Sequence, residues 1–113
     1  MELFTQRVIE IIKSIPAGYV MSYGQIAEAA GSPRGARQVV RILHSMSKAH
    51  ELPWHRVVNR LGEIAVQQDE SRFLQKLYLQ EEGVPFDGEG RVRLEICRHY
   101  PVEGHEEPEL PPD

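Results

Sequence analysis

Two helical stretches separated by a short break constrain the fold of this chain more than any other feature. Ser22 is a good helix N-cap, and a helix is expected from residue 23 to residue 30. Gly31-Ser32-Pro33 predicts a tight turn, after which a second helical pattern runs from residue 34 to residue 46. The inward face of this second helix is predicted to consist of Val39, Ile42, Leu43 and Met46. This is the helix-turn-helix layout, which many DNA-binding domains use but which other small helical domains also show.

The rest of the chain predicts a mostly α fold with a small irregular β element. Amphipathic helices are expected over residues 3–15 and 71–82. Residues 57–59 and 64–66 predict a small hairpin or two irregular strands, and residues 91–97 alternate as a short strand. The residues predicted to share one face of the later helix are Phe73, Leu74, Leu77 and Tyr78, and those predicted to point inward from the last strand are Leu94 and Ile96.

The length of 113 residues is enough for one compact domain and not for two. We assign residues 1–101 to that domain, whereas residues 102–113 are acidic and proline-rich, which predicts a disordered tail. No apolar run approaches the roughly 20 residues that a membrane-spanning helix needs, and the N-terminus lacks the layout of a secretion signal. The single cysteine, Cys97, lies outside every motif and excludes an intrachain disulfide, so a cytoplasmic location is the default.

Charge is segregated along the chain, although the net charge is only −4. The negative net charge argues against indiscriminate nucleic-acid binding by the whole surface, and residues 61–113 carry a strong excess of acids. Residues 34–60 carry one acid, Glu51, against the cations Arg34, Arg37, Arg41, Lys48, Arg56 and Arg60. This basic segment indicates either a solvated helix face or a surface that faces phosphate groups. No metal is expected, because no cysteine accompanies the histidines of this segment and their spacing suits no zinc site: His44, His50 and His55.

The basic segment contains an unusual loop, Pro53-Trp54-His55-Arg56-Val57-Val58. A proline-led turn that places an indole, an imidazole and a guanidinium side by side is uncommon in a plain connection. The loop resembles the active-site loop of the O6-alkylguanine-DNA alkyltransferases, whose pattern is Pro-Cys-His-Arg-Val. In that family the cysteine thiolate accepts an alkyl group from a flipped guanine, and the histidine, acting through water, helps to deprotonate it. Trp54 occupies the cysteine position here, and indole offers no ionisable thiol.

The resemblance covers residues 4–86 and keeps the order and spacing of the family's motifs. The matching segments are Ile15-Pro16-Ala17-Gly18, Ser22-Tyr23-Gly24-Gln25-Ile26-Ala27, Ala36-Arg37-Gln38-Val39-Val40, the Pro53 loop and Glu82-Gly83-Val84-Pro85. The resemblance implies a winged-helix-like helix-turn-helix DNA-binding domain of the alkyltransferase C-terminal type. A loop that keeps the family pattern without its thiol is typical of the alkyltransferase-like proteins, which bind alkylated DNA and do not repair it themselves.

The resemblance also implies roles for individual residues at a minor-groove interface. At the position of Arg37 the family has an arginine that enters the base stack in place of the extruded nucleotide, whose extrusion costs stacking energy. At the position of Tyr23 the family has a tyrosine that helps to turn the nucleotide out. The implied lesion contacts are Tyr23, Trp54, His55 and Val57. The implied DNA contacts are Ser22, Tyr23, Gly24, Arg34, Gly35, Ala36, Arg37, Arg41 and Arg56, of which Gly35 and Ala36 are small enough for close approach to the groove.

Three positions depart from the family pattern. Met46 stands where the family has an asparagine that organises the active-site loop, and residues 67–70 replace the Tyr-Ser-Gly part of its binding loop. Glu82 matches the acid that orients the histidine, although no thiol is present for that relay to serve. His55 therefore has either its family role or an ordinary structural one.

The leading hypothesis is a non-enzymatic sensor of O6-alkylguanine that holds the lesion flipped out of bent duplex DNA and channels it to nucleotide excision repair proteins. One alternative is a repair enzyme with another nucleophile, for which His55 is the candidate base. The other is a helix-turn-helix transcription regulator, which needs base-reading polar side chains on its second helix and usually a dimer interface. The leading hypothesis predicts a monomer that needs no cofactor, has double-stranded DNA as its partner and is nucleoid-associated when bound.

Overall fold

The computed structural model describes residues 2–101 as mostly helical, with one very small sheet. The elements in chain order are α1 (Leu3–Lys13), β1 (Met21–Ser22), α2 (Tyr23–Ala29), α3 (Ala36–His50), a 3₁₀ turn (Trp54–Arg56), β2 (Val57–Val58), α4 (Asp69–Glu81) and α5 (Leu94–Cys97). We call Trp54–Arg56 the tryptophan turn. The predicted tail, residues 102–113, lies outside the described residues. Among the described helices, none has the length and apolar character needed to cross a membrane.

The predicted helix-turn-helix is formed by α2 and α3, and its first helix starts where the sequence indicates. The hydroxyl of Ser22 accepts a hydrogen bond from the Gln25 amide at 3.1 Å. In return, the Gln25 side-chain oxygen accepts from the Ser22 amide at 3.4 Å. This reciprocal capping box satisfies two amides that would otherwise have no helical partner, and it fixes the start of α2 directly after β1.

The bounds of α3 differ from the prediction at both ends. The helix begins at Ala36 rather than at residue 34, because the backbone angles at Gly35 are not helical. It continues to His50, four residues beyond the predicted end at residue 46. Neither glycine nor proline interrupts residues 47–50, and the helix ends where Glu51 takes a left-handed conformation with a φ of 52°.

The sheet is a parallel pair and not the predicted hairpin. Met21 of β1 lies opposite Val57 of β2, and Ser22 lies opposite Val58. Residues 64–66 form no strand. After β2 the chain turns away because the Asn59 side-chain oxygen accepts from two backbone amides of the following turn, each at 2.9 Å. Since β1 runs directly into α2, the parallel pairing anchors the tryptophan turn beside the start of the helix-turn-helix.

Two clusters of buried apolar residues lie on opposite sides of β2. Val57 belongs to the first cluster, which α1, α2 and α3 line, whereas Val58 belongs to the second. Successive side chains of a strand point to opposite faces, so two adjacent valines join both clusters. The second cluster consists of Val20, Val58, Leu79, Val84, Val92 and Cys97.

The C-terminal third departs most from the prediction. Phe73 of α4 is 68% exposed and Leu77 is also exposed, whereas the buried residues of that helix are Gln75 and Leu79. The strand expected over residues 91–97 is largely wrong, because its second half is the short helix α5. Ile96, which was predicted to point inward, is 60% exposed, and Leu94 packs against the second cluster only partly. Alternation within a short segment did not distinguish a strand from a single helical turn.

Gly62 is a position where any side chain should destabilise the fold. Its φ is +83°, and a Cβ built on it would lie 2.5 Å from the Val92 carbonyl oxygen. We expect Gly62→Ala to lower the free energy of unfolding by about 1–3 kcal/mol, measured by urea denaturation. Gly88→Ala is the matched control, because a Cβ there meets nothing within 4 Å. Equal stability of the two variants would contradict this prediction.

Candidate nucleic-acid interface

Three aromatic rings, two from the tryptophan turn and one from α4, form a cluster at this turn. The Trp54 ring lies edge-on to the His55 ring and to the Tyr78 ring, with both pairs of centroids 6.2 Å apart. The His55 and Tyr78 rings are 5.4 Å apart. Trp54 is half-buried against the first cluster, so its indole is neither a free surface group nor fully enclosed. Tyr78 comes from α4, and nothing local in the sequence indicated that it belongs beside Trp54.

Glu82 contacts two side chains of the tryptophan turn through both of its carboxylate oxygens. The His55 Nε2 atom lies 2.8 Å from Glu82 Oε2, which agrees with the family relay expected from the sequence. The Arg56 Nη2 atom donates to the same oxygen at 2.7 Å, and Arg56 Nε donates to Oε1 at 3.0 Å. The Gly18 amide adds a hydrogen bond to Oε1 at 3.1 Å. The acid therefore positions two side chains of the turn at once.

The pKa of Glu82 shows the strength of these contacts. Burial by itself would raise that pKa, but the hydrogen bonds from Arg56, His55 and the Gly18 amide outweigh burial and lower it to about 2. The carboxylate is consequently ionised at neutral pH, as the hydrogen bonds from the Arg56 guanidinium require.

Glu82 should make the stability of the protein sensitive to acid. Its folded-state pKa is about 2 and its ordinary value is 4.5, so the stabilisation is complete above the ordinary value and is lost as the pH falls toward the folded value. We expect the free energy of unfolding to fall across this range, and to fall less in Glu82→Gln, which is already less stable at neutral pH. Urea denaturation at a series of pH values measures both curves. Parallel curves for the two proteins would rule out this role of Glu82.

Arg56 has an internal role in addition to the one that the resemblance implies. Besides its contacts with Glu82, its Nη1 atom donates to the Ile15 carbonyl at 2.8 Å, so the guanidinium joins the turn to the chain just after α1. Gly35 is similar: it is buried, and a Cβ there would lie 2.9 Å from the Phe4 ring. Internal packing thus explains the glycine at this position, and DNA contact by Arg56 and Gly35 stays a prediction.

The start of α2 presents the other predicted base contact. Tyr23 is half-buried and packs against the same cluster as Trp54, and burial raises the pKa of its hydroxyl. Ser22 is buried and occupied with capping, which leaves little of its side chain for a ligand. Gly24 follows in open surroundings, since a Cβ there meets nothing within 4 Å. Tyr23 of α2 and Trp54 of the tryptophan turn therefore pack against the same buried cluster.

The exposed face of α3 carries the basic residues predicted from the charge pattern. Arg37 and Arg41 are exposed and one helical turn apart, and neither side chain has a hydrogen-bond or ion-pair partner within residues 2–101. Arg34 precedes the helix and is also exposed, whereas Ala36 at the first helical position is half-buried. The arginine side chains of this face are thus not paired with Asp or Glu side chains within residues 2–101.

The single thiol lies away from the tryptophan turn. Cys97 is buried in the second cluster, and its sulfur donates to the Arg93 carbonyl at 3.4 Å. Burial, with a smaller contribution from Glu95, raises the pKa of this thiol above its ordinary value. A buried, protonated thiol is a poor nucleophile. Within residues 2–101, no group of three or more His, Cys, Asp or Glu side chains could hold a metal ion.

Comparison with known proteins identifies a DNA-binding family whose members resemble this chain over most of its length. A family model described as the 6-O-methylguanine DNA methyltransferase, DNA binding domain, matches residues 3–84. A DNA base-flipping protein of Escherichia coli (strain K12) is 46% identical over 95 residues, which are 84% of this chain and 73% of that protein. Alkyltransferase-like protein 1 of Schizosaccharomyces pombe is 39% identical over 87 residues, which are 74% of this chain and 79% of that protein.

The fold also matches a solved structure. The crystal structure of S. pombe Atl1 in complex with damaged DNA containing O6-carboxymethylguanine superposes with a TM-score of 0.74 and 34% sequence identity, covering 89% of this chain and 98% of that one. The fold and the matched model define the class, a helix-turn-helix DNA-binding domain of the alkyltransferase type. Within that class, the chain belongs to the alkyltransferase-like family. The family and fold class predicted from the sequence are confirmed.

Proposed function

We propose that this protein is a non-enzymatic sensor that binds O6-alkylguanine in duplex DNA, holds the nucleotide flipped and channels the lesion to nucleotide excision repair. The observation that carries the proposal is the tryptophan turn itself. The His55–Glu82 contact is present at 2.8 Å, yet an indole occupies the position next to it. The only thiol of the chain is buried in the other cluster. The tryptophan turn and its His55–Glu82 contact are thus present, whereas the thiol that would accept the alkyl group at this position is absent.

The geometry supports separate roles for α3 and the tryptophan turn in DNA binding. The exposed arginines of α3 would approach the minor groove, and Arg37 in its first turn would fill the space that the extruded base leaves. A planar guanidinium both stacks and donates hydrogen bonds, which suits that space. Gly24 and the half-buried Ala36 would let the backbone come close to the sugar-phosphate chain, while Arg34 and Arg41 would contact phosphates.

The flipped guanine would enter between Tyr23 and the aromatic cluster. Trp54 would supply a flat apolar wall for the alkyl group, since an indole face accepts both alkyl and aromatic partners. Val57 is buried and its carbonyl accepts from Gln75, so a direct contact between Val57 and the guanine stays a prediction. His55 would serve mainly to fix the turn, because its Nε2 atom already contacts Glu82.

The same geometry argues against the two alternatives. An enzyme that accepts the alkyl group needs a strong nucleophile beside His55. The ring neighbours of His55 are Trp54, which has no nucleophilic atom, and Tyr78, whose phenol is a weaker nucleophile than a thiolate. A transcription regulator reads base edges from the exposed face of its second helix, and on α3 that face includes Val40, which is 45% exposed and offers a base no hydrogen bond. We further propose that the protein acts as a monomer in the cytoplasm and is nucleoid-associated when bound to DNA.

One experiment separates these functions. The protein is titrated with two duplexes that differ only in one guanine, either O6-methylated or unmodified, and both components are then weighed by mass spectrometry. We expect tighter binding of the O6-methylguanine duplex and unchanged masses of protein and DNA. A methyl group gained by the protein would indicate transfer, and loss of the methyl group from DNA alone would indicate hydrolysis. Equal affinity for the two duplexes would exclude lesion recognition.

A second experiment addresses the proposed hand-over. Excision of O6-alkylguanine from a plasmid is measured with reconstituted nucleotide excision repair proteins, with and without this protein. We expect added protein to increase incision at the lesion but not at undamaged sites. If incision falls as the protein is added, the bound protein shields the lesion, and the proposed channelling is wrong.

A further inference from the structure

A buried glutamine of α4 holds the backbone of the tryptophan turn. Gln75 is only 1% exposed, which is unusual for an uncharged polar side chain of this length. Its Nε2 atom donates to the Val57 carbonyl at 2.8 Å and to the His55 carbonyl at 3.1 Å. These two carbonyls flank Arg56, so one amide group spans the end of the turn and the start of β2. Both of its N–H bonds are thereby used.

The other half of the same amide is not used. Gln75 Oε1 is buried and has no hydrogen-bond partner within the described residues. Burying an acceptor without a partner costs stability. The fold therefore uses this side chain as a donor only, and it tolerates the unpaired oxygen to keep the donor in place.

The position of Gln75 makes it relevant to the shape of the aromatic cluster. Tyr78 follows it by three residues and lies on the same side of α4. Tyr78 contacts the rings of Trp54 and His55, while Gln75 holds the backbone that carries those rings. The turn has few backbone contacts of its own: the Trp54 amide donates to Leu52 at 2.7 Å and the Arg56 amide to Pro53 at 3.0 Å. Its orientation consequently depends on side chains from other elements.

Gln75 and Arg56 act on different parts of the turn. Arg56 is a side chain of the turn that reaches out to Glu82 and Ile15. Gln75 of α4 donates to main-chain oxygens of the turn. It therefore constrains the backbone independently of which side chains the turn carries. Loss of Gln75 would remove this donor from the buried Val57 carbonyl and the half-buried His55 carbonyl. The turn, with Trp54, could then move away from Tyr78.

We propose that Gln75 is a positioning residue for lesion recognition, that it sets the orientation of Trp54 and that only its donor function is needed. This inference rests on the proposed function, because it assigns Trp54 to the lesion pocket. Gln75 itself touches no ligand. Its effect on DNA binding is exerted through the backbone of the turn.

The test uses two substitutions of Gln75 and one control. Gln75→Met keeps the length of the side chain but removes the donor. Gln75→Lys removes the unpaired acceptor and keeps a donor as an amine, whose uncharged form is favoured in a site that is 1% exposed. Gln80→Met changes an exposed glutamine of the same helix and serves as the control. Because Trp54 is the only tryptophan of the chain, its fluorescence and near-ultraviolet dichroism report the turn without DNA. Affinities for the methylated and unmodified duplexes are measured at the same salt concentration.

For Gln75→Met we expect an altered tryptophan spectrum and a fall of about tenfold in the preference for the methylated duplex, because the displaced turn no longer presents Trp54 to the alkyl group. Affinity for the unmodified duplex should stay within about twofold, since the face of α3 is untouched. Gln75→Lys should recover most of the preference and the native spectrum, and Gln80→Met should match the native protein.

Several outcomes would overturn the inference. A native spectrum and a native preference in Gln75→Met would show that the turn does not depend on the donor. An equal loss of affinity for both duplexes would reduce Gln75 to a general structural role. If Gln75→Met does not fold, Gln75→Lys decides: a native-like preference supports the inference and a lost preference overturns it. If the native protein itself shows no preference, the proposed function fails, while the tryptophan spectrum still tests the positioning.

Discussion

Arg37→Ala is expected to weaken binding to O6-methylguanine duplex DNA by about a hundredfold. Extruding a nucleotide costs a few kcal/mol of lost stacking and pairing, and each 1.4 kcal/mol corresponds to about a factor of ten in affinity. Arg37 would recover part of that cost by occupying the vacated stack. The side chain is exposed, and it has no polar partner within residues 2–101, so its removal should leave the fold intact. Fluorescence anisotropy with labelled duplexes measures the loss, and thermal unfolding checks the fold.

Arg41→Ala is the matched control for this prediction. Arg41 lies one turn further along the same exposed face of α3. If it contacts only phosphate, its removal should lower affinity modestly and equally for methylated and unmodified duplexes, with the salt dependence reduced by about one counterion. Arg37→Ala should do much more than this to the methylated duplex. Equal effects of the two substitutions would mean that Arg37 is merely another phosphate contact and does not enter the base stack.

Trp54→Cys is expected to restore the loop pattern of the repair enzymes but not efficient alkyl transfer. A nucleophilic thiol needs a lowered pKa and an aligned base. The His55–Glu82 pair at 2.8 Å would supply part of this arrangement. Met46, however, packs against the first cluster and offers no hydrogen bond to organise the turn. Residues 67–70 also lack the tyrosine and serine of the family's binding loop.

The measurement is transfer of a radiolabelled methyl group from duplex DNA to protein under single-turnover conditions. Trp54→Ser serves as the control, because it has nearly the same volume change without a thiol. We expect both variants to lose lesion preference, since each removes the apolar wall, and Trp54→Cys to gain at most slow transfer. Transfer at rates near those of the repair enzymes would show that residue 54 alone separates sensing from repair.

The order of local patterns along the sequence was sufficient to predict the helix-turn-helix and the family. The Ser22 cap, the Gly31-Ser32-Pro33 break and the apolar spacing of α3 are short-range signals, and each acts within a few residues of the position that it determines. The Pro53 loop identified the candidate site for the same reason, because its pattern is contiguous. The His55–Glu82 pairing was reached only through the family resemblance.

The features that depended on the tertiary structure are contacts between residues that are distant in sequence. The parallel pairing of β1 with β2 joins strands more than thirty residues apart, and two-residue strands carry too little pattern to predict a register. Tyr78 and Gln75 became site residues only because α4 packs on the tryptophan turn. Burial in that packing turned a glutamine, a residue that the sequence pattern treats as polar surface, into an internal donor. Propensity and periodicity describe a segment and its exposed or buried face, but they do not identify which other segment covers that face.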